Sequence, residues 1–209
     1  MSSAPDATVE SLGLFAIPIA LVTDLLSPAH REAIGTWVMA ERERDAGIQR
    51  SNAGGWHSRP DLPVRNVDAL DRLFQAIVEQ VRDHHSRVAD ECGTDELRVR
   101  FVLQAWATVM EAGHYVQVHD HADAHWSVVY YVDAGHDGET EAGGRIAWLN
   151  PVGPHRSMPG ANLAPTAFEL QPRSGTLVVF PGWLRHCVQP YRGTRPRICI
   201  AGNVEVRAR

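Results

Sequence analysis

"HYVQVHDHADAHWSVVYYV", residues 114–132, sets four histidines and two aspartates within a run of β-branched and aromatic residues. On a strand, successive side chains point to opposite faces, so Tyr115, Gln117, His119 and His121 share one side and Asp120 takes the other. Period-two patterning is not confined to this stretch. From residue 97 onward the segments "LRVRFVLQAWATVM", "HYVQVHDH", "WSVVYYV", "GGRIAWLNP", "AFELQP", "GTLVVFPGWLRHCVQP" and "RPRICIAGNVEV" repeat it as short β-rich runs parted by Gly, Pro and Asp turns.

Upstream the period is different. "LFAIPIALV" at 14–22 reads as a buried strand, and the segment after it carries helix signals in order, with Ser27 as N-cap, Pro28 in the first turn and Gly47 as stop. "SNAGGWHSRPDLPVRN" at 51–66 has no apolar period and predicts an ordered loop or a short strand. Residues 67–93 then place Val67, Leu70, Leu73, Phe74, Ile77, Val81 and Val88 on one helical face, ended by Gly93. Helices first and strands after predict a mainly β fold, a sandwich or small barrel buttressed by two N-terminal helices. With 209 residues and no linker or repeat, a single domain over 1–209 is expected, with helical support at about 12–93 and the β core at about 97–206.

Composition excludes several classes of function. A formal charge of −5 and a pI near 6.1 leave no electrostatic footprint for nucleic acid or anionic lipid. All 20 basic residues are Arg, which we attribute to coding bias rather than function. Cys92, Cys187 and Cys199 form no CxxC pair and are odd in number, so a reducing, cytoplasmic setting is expected rather than a disulfide framework. The early apolar run is too short and too Pro-broken for a signal or membrane segment. Oligomeric state is left open by these patterns.

The chemistry concentrates in three histidines. His119 and His121 converge from one strand end, and His186 follows a second hydrophobic strand whose Pro181 and Gly182 end regular pairing. Three ligands on one face of an octahedral ion leave the remaining positions for substrate and oxygen, an arrangement that suits non-haem iron. The usual facial triad is H-x-D…H with two His and one carboxylate, and here His121 stands where the Asp would be. Asp123 is the alternative third ligand. The plain alternative is that His119 and His121 are partly exposed strand-end residues with no metal.

"SVVYYV", "GGRIAWLNP", "GTLVVFPGWLRHCVQPY" and "RICIAGN" resemble consecutive core strands of the 2-oxoglutarate and Fe(II)-dependent oxygenases. Within that superfamily the sequence is similar to a small family with H-x-H, S-G-V-Y-Y, F-P-S-W-L-x-H and R-I-S-I-x-F-N motifs, and "SNAGGWHS" at 51–58 matches an N-terminal motif of the same family. The resemblance runs over about residues 12–204. It implies a double-stranded β-helix, the jelly-roll and cupin-like core, and a centre using Fe(II), 2-oxoglutarate as cosubstrate and O2.

By the same resemblance His119 and His186 bind iron, and His121 fills the superfamily's carboxylate slot. Arg197 matches the arginine that grips the far carboxylate of 2-oxoglutarate, a role suited to a planar guanidinium fork, with Arg195 as competitor. Cys199 replaces a serine hydroxyl beside that carboxylate with a weaker thiol donor. Tyr131 aligns with a tyrosine that hydrogen-bonds the same group, the alternative being a core aromatic. Gly143 and Gly144 match a glycine pair of structural role. Trp56, His57, Trp126, Trp183, Arg145 and Arg156 are candidates for the substrate mouth, where packing is the competing explanation. His84 and His85 are expected to be exposed or to serve the helix dipole, and His114, His125, His136 and His155 to be loop or surface residues. The implied activity is that of an oxygenase, most simply a hydroxylase, acting on an amino-acid-like, peptidyl or small natural-product substrate. Two other readings remain, a cupin-type three-His dioxygenase that does not use 2-oxoglutarate and a non-catalytic β-helix module that binds a ligand.

Overall fold

The computed structural model describes residues 16–94, 98–121, 123–136, 142–152 and 165–208. The short strand β1 (Ala20–Val22) leads into helix α1 (Pro28–Arg44), whose N-cap Ser27 accepts a hydrogen bond from the His30 backbone N–H. Two-residue strands β2 (Asn52–Ala53) and β3 (Trp56–His57) and a 3-10 turn (Leu62–Val64) precede helix α2 (Asp68–Glu91). Eight strands follow among the described residues: β4 (Val99–Met110), β5 (Tyr115–His119), β6 (Trp126–Asp133), β7 (Ile146–Leu149), β8 (Ala167–Leu170), β9 (Leu177–Pro181), β10 (His186–Val188) and β11 (Arg197–Ala208).

They pair antiparallel in two sheets, one of six strands in the order β1-β9-β6-β11-β4-β3 and one of five in the order β2-β5-β10-β7-β8. Strand alternation gives the six-stranded sheet two apolar faces. Val128, Tyr130 and Val132 of β6 and Ile198, Ile200 and Val204 of β11 pack under the helices with Ile34, Val38, Leu70, Leu73, Ile77 and Val81. Tyr131, Val178, Phe180 and Cys199, one residue out of step, face the second sheet and meet Ile146, Trp148 and Leu184. The apolar stripe read on α2 is therefore the surface that docks on the sheet.

Several expectations need correction. The run at 14–22 forms a strand only over Ala20–Val22, on the edge of the sheet, with Leu21 exposed; Leu14 and Phe15 lie outside the described residues. An edge strand has one neighbour, β9, so half its surface stays open. His84 is buried rather than exposed and meets the ring of Trp126 edge-on at 4.8 Å, while His85 accepts from the Trp126 indole N–H at 3.3 Å. The helix turns that pair inward against β6 because position 84 falls on the stripe shared by Ile77 and Val81. His136 is buried too, with its Nε2 2.9 Å from the Gln171 amide nitrogen. His155 and Arg156 lie outside the described residues.

Candidate metal centre and cosubstrate pocket

The three histidines sit at the two corners where the chain passes between sheets. β5 belongs to the five-stranded sheet and β6 to the six-stranded one, and the chain crosses at residues 120–125; it crosses back between β9 and β10 at residues 182–185. The corners are tied together, with the His121 N–H donating to the Gly182 carbonyl at 2.8 Å and the Gly182 N–H to the His125 carbonyl at 3.1 Å. A Cβ at position 182 would come within 2.2 Å of the Ala124 carbonyl oxygen, so only glycine allows this approach. His186 pairs directly across the ladder with His119.

One ligand atom from each of His119, His121 and His186 lies within 4.8 Å of the others. Ring centroids are 4.3 Å apart for His119 and His186, 4.9 Å for His119 and His121, and 5.3 Å for His121 and His186. His119 Nδ1 is 2.8 Å from the Gln117 carbonyl and His186 Nδ1 2.9 Å from the Leu184 carbonyl. A carbonyl only accepts, so the proton is on Nδ1 and Nε2 keeps its lone pair. Burial, with the neighbouring imidazoles adding to it, pushes His121 down to about 4 and His186 to about 3, and burial lowers His119 as well. All three rings are neutral near pH 7. Neutral imidazoles with bare nitrogens facing one point suit a divalent first-row ion. Asp123 is exposed and is not among the clustered donors.

The cluster opens on a cavity of about 430 Å³ between the sheets, whose far wall carries the cosubstrate candidates. Arg197 is 3% exposed, with no carboxylate partner among the described residues. Its guanidinium lies 5.1 Å above the Tyr131 ring, Nη1 reaches the Met110 sulfur at 3.4 Å, and Nε has no partner. The Tyr131 hydroxyl is likewise buried without a partner, and burial holds it protonated well above neutral pH. Burial also raises the Cys199 thiol. An unpaired buried cation beside an orphan hydroxyl is costly by itself and fits the acceptor oxygens of a carboxylate. Arg195, half exposed, instead faces Asp133 at 3.9 Å and does not line the cavity. Gly143 and Gly144 both have positive φ, and a Cβ at 143 would strike the Pro190 carbonyl oxygen at 2.3 Å, so their role is backbone approach.

Of the mouth candidates, His57 lines the cavity and Trp56 borders it while packing into the helix-side core, its indole N–H donating to the Asp45 carbonyl at 2.7 Å. Trp126 belongs to the helix side of β6, Trp183 is exposed away from the cavity, and Arg145 engages Gln171 and Glu169. Each was a tryptophan or arginine near a motif, but strand parity sends Trp126 to the opposite face from Ser127. Trp106, not among the sequence candidates, stands 5.8 Å from His121 and stacks on His57 at 5.6 Å. The same parity, applied to β4 from Thr108, would have found it.

Residues 104–203 match the family model described as "Putative 2OG-Fe(II) oxygenase". That stretch, a little under half of the chain, resembles a 2OG-Fe(II) oxygenase domain. The match runs from within β4 to within β11 and does not reach the helices or the 51–58 motif. Among solved structures, a Pseudomonas putida prolyl-4-hydroxylase aligns with 92% of the chain and 94% of its own, at TM-score 0.61 and 15% identity. A Trichoplax adhaerens prolyl hydroxylase, solved in complex with a hypoxia inducible factor peptide fragment, gives 0.64 and 15% over 90% of this chain and 83% of that one. HygX from Streptomyces hygroscopicus, solved with nickel and 2-oxoglutarate bound, gives 0.63 and 12% over the same shares. At these identities the likeness shows the fold, the double-stranded β-helix of the prolyl-hydroxylase type. No curated protein sequence matches the chain. Among its described residues no helix is long and apolar enough to cross a membrane.

Proposed function

We propose that this chain is an Fe(II)- and 2-oxoglutarate-dependent hydroxylase in which His119, His121 and His186 hold the metal and Arg197, Tyr131 and Cys199 hold the far carboxylate of 2-oxoglutarate. One observation carries the reading: three neutral imidazoles, His119 and His186 with bare Nε2 atoms, and a buried guanidinium without a counter-ion face the same cavity. Iron with 2-oxoglutarate and O2 supplies an oxidant for C–H bonds, with succinate and carbon dioxide as by-products. The chain's own part is binding and exclusion. Arg197 fixes one end of the cosubstrate bidentately, Tyr131 adds a neutral O–H donor, and Phe180 and Ile146 keep the wall between them dry. The substrate is a small molecule or a peptide, and the P. putida and T. adhaerens neighbours, named as prolyl hydroxylases, support that range. The whole chain acts as one domain in a reducing, cytoplasmic compartment, consistent with three free cysteines.

Anaerobic Fe(II) titration with and without 2-oxoglutarate tests the proposal, through the weak visible charge-transfer band of the chelate. A band that needs both components and disappears in His186→Ala is expected. Stoichiometric iron in His186→Ala, or no change on adding 2-oxoglutarate, sinks it.

A further inference from the structure

Antiparallel register lays the floor of the cavity out in rows across β4, β11 and β6. Arg197 lies opposite Met110; Cys199 is flanked by Thr108 and Tyr131, Ala201 by Trp106 and Val129, and Asn203 by Gln104 and Ser127. At roughly 3.3 Å per residue, the last row is about 20 Å from the Arg197 row along the strands. Trp106, next to His121, marks the level of the histidine cluster, so the Asn203 row lies on the far side of that cluster from Arg197. That places it where a second organic ligand would lie, given the oxygenase reading above, on which this inference rests.

The row is polar and carries no charge. Ser127 is buried and its hydroxyl donates to Asn203 Oδ1 at 3.5 Å, which leaves the Asn203 amide N–H2 as donor into the cavity. Gln104, exposed where it lines the cavity, adds a second amide, able to donate and to accept. Beside them the Trp106 and His57 rings stack within 11° of parallel, a flat wall. Of the two guanidiniums lining the cavity, Arg197 is at the opposite end and Arg50 is exposed, where water weakens any ion pair. A planar amide answers all of these features, with a carbonyl for Asn203, an N–H for the Gln104 oxygen and a face for the ring wall. A carboxylate would find no buried cation at this end to offset the loss of its water, and Asp120, which also lines the cavity, would repel it.

We propose that Gln104, Asn203 and Ser127, walled by Trp106 and His57, form the substrate subsite and select an uncharged amide, a carboxamide or a peptide unit, over a carboxylate. The test uses the full chain loaded with Mn(II) and 2-oxoglutarate, and N-acetylated amino-acid amides against the same compounds as free carboxylates. Metal-induced broadening of the probe's proton resonances reports binding beside the ion. The amides are expected to bind at least about tenfold more tightly than the carboxylates, Asn203→Leu to weaken the amides about tenfold and Gln104→Leu, at an exposed position, about two- to threefold, with Mn(II) and 2-oxoglutarate affinities unchanged. Carboxylates that bind as well as amides, amide binding indifferent to both substitutions, or no binding by either set overturns the subsite while leaving the oxygenase reading in place. Failure of the wild type to take up Mn(II) or 2-oxoglutarate overturns both.

Discussion

A guanidinium at 3% exposure with no carboxylate beside it is expensive unless an anion completes it, and Arg197 is in that position. The fork matters as much as the charge. Arg197→Lys keeps the charge and loses the bidentate geometry, so the Kd for 2-oxoglutarate in the anaerobic titration should rise at least about tenfold, while Arg195→Ala leaves it unchanged. A reversed order would hand the anchor to Arg195. Cys199 allows a test in the other direction. Its thiol is buried, stays protonated and is a weak donor, so Cys199→Ser should tighten 2-oxoglutarate by about two- to tenfold, the range of a single neutral hydrogen bond. Arg197 and Cys199 were legible in the sequence because their motif names them. Met110 was not, since only the pairing of β4 with β11 puts its sulfur at Nη1.

At the scale of elements, the corners matter more than the strands. The turn at Gly182 holds the His121 backbone by a 2.8 Å hydrogen bond, and a side chain there collides with the Ala124 carbonyl. Gly182→Ala should therefore displace His121 and weaken Mn(II) binding at least about tenfold, measured by titration against the wild type. Unchanged metal affinity would show that the corner adapts without moving the histidine. Helix α2 makes a purely structural contribution. Ile77 is fully buried between α2 and the six-stranded sheet, so Ile77→Ala should cost about 2–5 kcal/mol in denaturant unfolding and leave metal affinity in the folded fraction intact. The helical stripe and the N-cap at Ser27 were readable because both are local signals. The inward turn of His84 was not, because its neighbour Trp126 is 42 residues away and strand parity alone decides which face that ring takes.

Across the whole molecule, buried neutral histidines couple folding to acid. His186 at about 3 and His121 at about 4, with His57, His84 and His119 also lowered, are all depressed by burial from an unfolded value near 6.5. The unfolded chain takes up these protons first. Stability is therefore full above about pH 6.5 and falls as pH drops from there toward 4, by up to about 1.4 kcal/mol per pH unit for each such group. Thermal melts of the metal-free protein between pH 7.5 and 5 should show Tm falling, and saturating Mn(II) should raise Tm most at the upper end, where the imidazoles are free to bind. A Tm flat over that range would mean the rings are not buried neutral.

The amino-acid sequence alone determined the order of helices and strands, the apolar faces and the residue types able to hold a divalent ion and a carboxylate, because periodicity, caps and motif spacing are properties of short stretches. Only the tertiary structure decided that two corners 65 residues apart, at His121 and His186, meet; that Arg197 rather than Arg195 lines the cavity; and that Trp106 and Asn203 share it with the histidines. Those relations depend on which strands pair, in what register and at which point the chain changes sheets, and no local pattern carries that information.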